Sequence, residues 1–142
     1  MTARLLAVLL AVGPAPAAAE TITVTVSGLR SDEGVVRACM TQVEAIFPRC
    51  IRDPQSHRAV TSAKGTVVIR FDDVGPGEYA IALLHDENDN GKADRTLGMM
   101  PREGYGFSRD ARVRMGPPDW RDAVFTHDNA SQDITIRMRY FL

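Results

Sequence analysis

Six carboxylates or side-chain amides fall within nine positions: Asp86, Glu87, Asn88, Asp89, Asn90 and Asp94. Hard oxygen donors of this kind are what Ca²⁺ selects. An EF-hand loop takes oxygen ligands at places one, three, five and nine, a main-chain carbonyl at seven, glycine at six and a bidentate glutamate at twelve. Counted from Asp86, the ligand places fall on Asp86, Asn88, Asn90, the carbonyl of Lys92 and Asp94, with Gly91 at the turn. The twelfth place falls on Leu97, which cannot chelate. Glu103 is its substitute if the Pro101–Ser108 stretch folds back, and Glu87 and Asp89 are spare acids. The same residues describe a metal-free turn, because Asn and Asp hydrogen-bond their own backbone and Asn90-Gly91 is a strong turn pair. A Ca²⁺-pinned loop and an Asx-rich turn both remain open.

His85 stands directly before this loop, and its type suits a general base or a metal ligand. With Asp86, or with Glu103 or His127 brought near, it would form a small hydrolase-like site. The plainer expectation is that His85 donates a hydrogen bond that holds the loop. His57 and His127 lie in polar stretches and are expected to be solvated. Ser108 has no G-x-S-x-G context, and no Cys-His pair is present to make a nucleophile. Tyr105, Phe107 and Trp120 are the candidate ligand-binding aromatics. Such residues serve either as a platform for a sugar or peptide or as the packed end of a sandwich.

The elements that must position these groups are short strands. Thr21–Val26 alternates polar and apolar residues, and Val35–Met40 follows a Gly/Ser/Asp turn, so the two predict a hairpin. Thr41–Lys64 has no clear period and reads as a long connection, with one helical turn at Val43–Phe47. Thr66–Phe71 is a strand. Glu78–Leu84 lacks alternation, which predicts burial on both faces. Thr96–Met100 reads as a short extended piece and Thr126–Ala130 as polar loop. Asp119 is placed to N-cap a short helix over Trp120–Phe125. Gln132–Tyr140 is the last strand, with Ile134, Ile136, Met138 and Tyr140 on its apolar face. The sum is an all-β sandwich.

Arg4, the apolar run Leu5–Val12 and the small residues Ala17-Ala18-Ala19 read as a signal peptide over residues 1–19, with the mature domain at 20–142. The chain is then exported, to the periplasm or beyond, with no later membrane span. Loss of Arg4 leaves a net charge of about −2, too little basic character for nucleic-acid binding. In an exported chain Cys39 and Cys50 read as a disulfide; the alternative is a metal or redox pair, though the spacing is not C-x-x-C.

Two blocks carry a resemblance. One runs from Gly77-Glu78-Tyr79-Ala80-Ile81 through His85–Asp94. The other is Pro101–Ser108, followed by Pro117-Pro118 and Asp122–Phe125. Together they resemble a family of exported bacterial proteins, domain-of-unknown-function family 2141 (DUF2141). That resemblance implies export and a fold, and no activity. The Val74–Tyr79 turn is similar to the hairpin of prealbumin-like and carboxypeptidase-regulatory-like sandwiches, which implies about seven strands in a Greek key. Cys39 and Cys50 depart from the family pattern, so the disulfide is expected to be a local addition.

The function expected from these residues is that of an exported binding or accessory module of the envelope. Its partner would be an unknown ligand or envelope protein. The loops 86–94, 101–108 and 117–125 would gather at one end. The alternative is a small periplasmic enzyme using His85. A third is a partner that lends a sheet edge to another envelope protein.

Overall fold

A computed structural model describes residues 12–15 and 20–141. Most of the expected signal segment lies outside the described residues. Among the described residues eight strands form two sheets: β1 (Glu20–Ser27), β2 (Val35–Thr41), β3 (His57–Ser62), β4 (Val67–Val74), β5 (Gly77–Asp86), β6 (Gly104–Phe107), β7 (Phe125–His127) and β8 (Gln132–Arg137). One sheet runs β4-β1-β8, with β1 and β8 parallel; the other runs β3-β2-β5-β6, with β7 paired to the start of β5. The all-β sandwich is therefore present. The only α-helix among the described residues is the single turn α1 (Trp120–Ala123). No helix among them is long and apolar enough to cross a membrane.

The alternating strands behave as their pattern requires. Ile22, Val24 and Val26 meet Val67, Ile69 and Phe71 of β4, and both sets pack on Val36, Ala38, Met40, Ile81 and Leu83 of the facing sheet. β5 is buried on both faces for the predicted reason. Its second face carries another apolar layer, Cys39, Cys50, Ala80, Ala82, Phe107 and Ala123, with Phe47 and Trp120 against it. The Cys39–Cys50 disulfide draws the 3₁₀ turn Cys50–Arg52 onto β2 and so builds half of that layer. Closing so short a loop is worth about 2.5–3 kcal/mol by chain entropy.

Several expectations need correction. β1 and β2 are not a hairpin: they lie in different sheets, because β1 takes β4 and β8 as partners and β2 takes β3 and β5. Thr41–Lys64 is not all connection. It holds β3, whose inward residues His57, Ala59 and Thr61 are too weakly apolar to show a period. Thr126 and His127 belong to β7. The Thr96–Met100 stretch is a turn rather than an extended piece. Asp119 sits at the N-cap of α1, but its side chain makes no cap bond and faces Arg121 in solvent.

β6 explains the Gly104-Tyr105-Gly106-Phe107 run. The two glycines face inward and the two aromatics outward, as alternate residues of a strand must. The C-terminal segment crosses the glycines: a Cβ on Gly106 would stand 2.8 Å from Ile136 and 2.9 Å from the Met138 sulfur, and one on Gly104 would overlap the Tyr140 ring. The chain leaves β8 here and pairs Arg139 with Tyr105, joining the second sheet. Ser108 then bridges layers, donating to the Ala123 carbonyl (2.6 Å) and accepting from the Ile81 N–H (2.9 Å). Gly106→Ala is expected to destabilise the domain by about 1–3 kcal/mol through overpacking. Urea unfolding of the two forms measures it.

Candidate functional site

The acidic loop hangs on the last residue of β5. Successive strand residues point to opposite faces, so His85 enters the sandwich while Asp86 turns to the outer layer. Asp86 is fully buried and accepts from Arg37 Nε (2.7 Å), the Gly91 N–H (2.8 Å) and the Asn90 N–H (3.1 Å). Burial works against its ionisation, but these donors outweigh it and hold the carboxyl below its ordinary range. Arg37 also pairs with Asp89. The side-chain amides of Asn88 and Asn90 both donate to Asp94 Oδ2, at 2.9 and 2.8 Å. Lys92 contributes its N–H to Asn90 Oδ1 (2.9 Å), and Gly91 takes φ +73°.

Glu103 does fold back to this loop. Only 4% exposed, it accepts from the Asp94 N–H (3.3 Å) and, when protonated, donates to Asp86. Burial pushes its carboxyl up to about 7, and the charges of Asp86 and Asp94 push the same way. Leu97 lies far out on the turn, fully exposed. Among the described residues, no group of three or more His, Cys, Asp or Glu converges in a geometry that holds a metal.

Both nitrogens of the buried His85 are engaged. Nε2 lies 2.8 Å from the Glu33 carbonyl and Nδ1 2.7 Å from the Tyr140 hydroxyl. A carbonyl only accepts, so Nε2 carries a hydrogen. The Tyr140 oxygen accepts from the Arg30 N–H (3.3 Å), which leaves its own hydrogen for Nδ1. Arg30 clasps Glu87 with two bonds (2.9 and 2.7 Å), donates to the Arg102 carbonyl and stacks on the Tyr140 ring. That clasp, more than any other cause, lowers the Glu87 carboxyl to about 2.

The three candidate aromatics do not share one open face. Phe107 is buried edge-on against Phe47. Tyr105 is half-buried, its hydroxyl enclosed without a hydrogen-bond partner and its ionisation pushed up by burial. Trp120 lines an open cleft of about 550 Å³ together with Phe47, Pro48, Pro117 and Pro118, with Glu44, Arg49, Asp119 and Arg121 around it. Trp120 packs edge-on against Phe47 at 5.9 Å. Phe47 and Pro48 were not singled out from the sequence. The signal was the disulfide, which ties their loop to the outer face of β2. The 117–125 segment accordingly sits over the outer layer and the start of β5, not with the acidic loop.

Of the remaining histidines, His127 is buried and His57 is half-buried. His57 begins β3 and packs edge-on against Phe71 and Tyr79, and burial lowers its pKa. His127 is buried against Tyr79, with Nδ1 on Gln132 and Nε2 enclosed without a partner. His127 stands at the opposite end of β5 from His85, and His57, paired with Met40, lies level with the middle of β5 at Ile81.

The family described as "Uncharacterized protein conserved in bacteria (DUF2141)" matches residues 24–135. The chain belongs to the DUF2141 family. No curated protein and no solved structure matches it. The match runs from the second half of β1 through most of β8, and so includes both the acidic loop and the cleft of this DUF2141 domain.

Glu103 releases its proton near 7 in the folded state and near the ordinary 4.5 when unfolded. Between those values the folded state binds more protons, so its contribution to stability falls as pH rises from about 4.5 to about 7. Glu87 acts oppositely: its contribution is complete above about 4.5 and is lost as pH falls toward 2. Glu103→Gln is expected to flatten the melting-temperature profile between pH 5 and 7.5 (roughly the window set by linkage) and leave the acid limb in place. Thermal unfolding across pH measures both.

Proposed function

We propose that this DUF2141 protein is a non-enzymatic binding module of the bacterial envelope, exported by residues 1–19, whose ligand stacks on Trp120. The observation that carries the reading is the cleft itself. An aromatic face, three prolines and charged side chains of both signs border one opening of about 550 Å³. That is the chemistry of a site for an envelope glycan or a peptide. Against an enzyme of the His85 type stands the engagement of both imidazole nitrogens. Asp86 and His85 also point to opposite faces of β5, so they form no dyad.

Trp120 is the sole tryptophan, so its fluorescence reports on the cleft. Titration with soluble peptidoglycan fragments, which offer both glycan and peptide, is expected to give a saturable change in emission. Trp120→Ala, followed by calorimetry, is expected to weaken binding at least about tenfold, or ~1.4 kcal/mol. The fragments should be recovered chemically unchanged. Their hydrolysis, abolished by His85→Ala, would return the enzyme reading.

The acidic loop is read as a self-sufficient turn. Asp86 is filled by Arg37 and two backbone N–H groups, and Asp94 by two side-chain amides. Equal melting temperatures in EDTA and in millimolar Ca²⁺ are expected. A rise with Ca²⁺ that Asp94→Ala abolishes would establish the calcium site instead.

A further inference from the structure

We propose that the turn Thr96–Met100 is a membrane-contact finger that enters the interface of an anionic lipid surface. The turn is built, not loose. Arg95 pairs with Pro101, the Arg102 N–H donates to the Asp94 carbonyl (3.0 Å), and the Thr96 N–H donates to the Met100 carbonyl (2.9 Å). The Met99 N–H closes the tip on Thr96 (2.9 Å). What this frame presents is apolar. Leu97 is 106% exposed, Met99 67% and Met100 43%. Single exposed apolar residues are ordinary, but three within four positions at the apex of a hydrogen-bonded turn form a patch.

The charges around the apex select the surface. Lys92, Arg95 and Arg102 are exposed, and none is ion-paired to a carboxylate among the described residues. Of the acids nearby, Glu103 is buried, Glu87 pairs with Arg30, Asp86 and Asp89 share Arg37, and Asp94 keeps its charge within hydrogen bonds from two asparagines. From Arg95 to Arg102 the finger itself carries two arginines and no acid, on a chain whose formal charge is −1. Leu97 lies two residues beyond Arg95, a reach of at most about 7 Å, the rise of two residues of fully extended chain. That reach matches the ~5–10 Å depth at which apolar groups sit between headgroups and acyl chains. Arg95 and Arg102, one on each arm, would then stand at the phosphates, where anionic lipids attract cations. A protein pocket accepts a Leu or Met knob, but nothing in a generic pocket calls for cations on both arms behind it. The finger shares no residue with the Trp120 cleft, so neither proposal rests on the other.

The test is co-sedimentation of the purified chain from Glu20 onward, which holds all eight strands, with two kinds of vesicle. One contains phosphatidylethanolamine and phosphatidylglycerol, the other phosphatidylcholine alone. Partitioning is expected to be roughly tenfold stronger on the anionic vesicles and to weaken with salt. Leu97→Asp/Met99→Asp should lose that binding at unchanged melting temperature, and Lys92→Ala/Arg102→Ala should lose the preference for phosphatidylglycerol. Absence of binding to either vesicle overturns the proposal and leaves the apex to a protein pocket. Binding that survives Leu97→Asp/Met99→Asp overturns it as well.

Discussion

A carboxylate taken wholly out of water persists only if its charge is answered by fixed donors. Asp86 is that group here, and the end of the molecule is arranged around it. Arg37 reaches it from β2, the strand beside it, and the turn beyond it bends until Asn90 and Gly91 can donate their N–H groups. The left-handed glycine follows from that requirement, since it turns the Gly91 N–H onto the carboxylate. Removing one partner of such a buried pair typically costs about 3–5 kcal/mol, because the other charge is stranded. The loop between β5 and β6 therefore has a definite shape, and its far side can be pushed out as an ordered finger.

A second constraint is that the β3-β2-β5-β6 sheet has work on both faces. Its inner face packs on the β4-β1-β8 sheet. Its outer face carries a thin layer made by the disulfide-tied loop and the 108–124 segment. A layer added in this way has seams, and the Trp120 cleft is one of them. The acidic end, crowded with groups that suggest chemistry, turns those groups on one another. The open surface is found where the sequence shows only prolines, a tryptophan and a disulfide loop.

The Gly-Tyr-Gly-Phe run shows how motif and mechanism separate. Its spacing is visible in the chain, yet it reads as a fixed loop until the C-terminal segment is seen to cross the glycines. His85 is a similar case. Its place at the end of an apolar run marks it as important, but the hydrogen bonds it makes are set by distant neighbours. Those neighbours are Glu33 and Tyr140, 52 and 55 residues away. His57 and His127 stand in polar stretches, and the rings that cover them, Phe71 and Tyr79 for the first and Tyr79 for the second, lie outside any local window.

The sequence by itself determined the class of fold, the faces of β1, β4 and β8, the double burial of β5, the pairing of Cys39 with Cys50 and the family. All of these rest on local periodicity or on residue chemistry that survives without neighbours. Only the tertiary structure decided which strands pair and which carboxylates answer one another. It also decided which aromatics stay open and which apolar side chains are left outside. Those outcomes depend on which distant segments arrive at a given face. A strand carries the alternation that sends a side chain to one side of the sheet, but not the identity of what waits there.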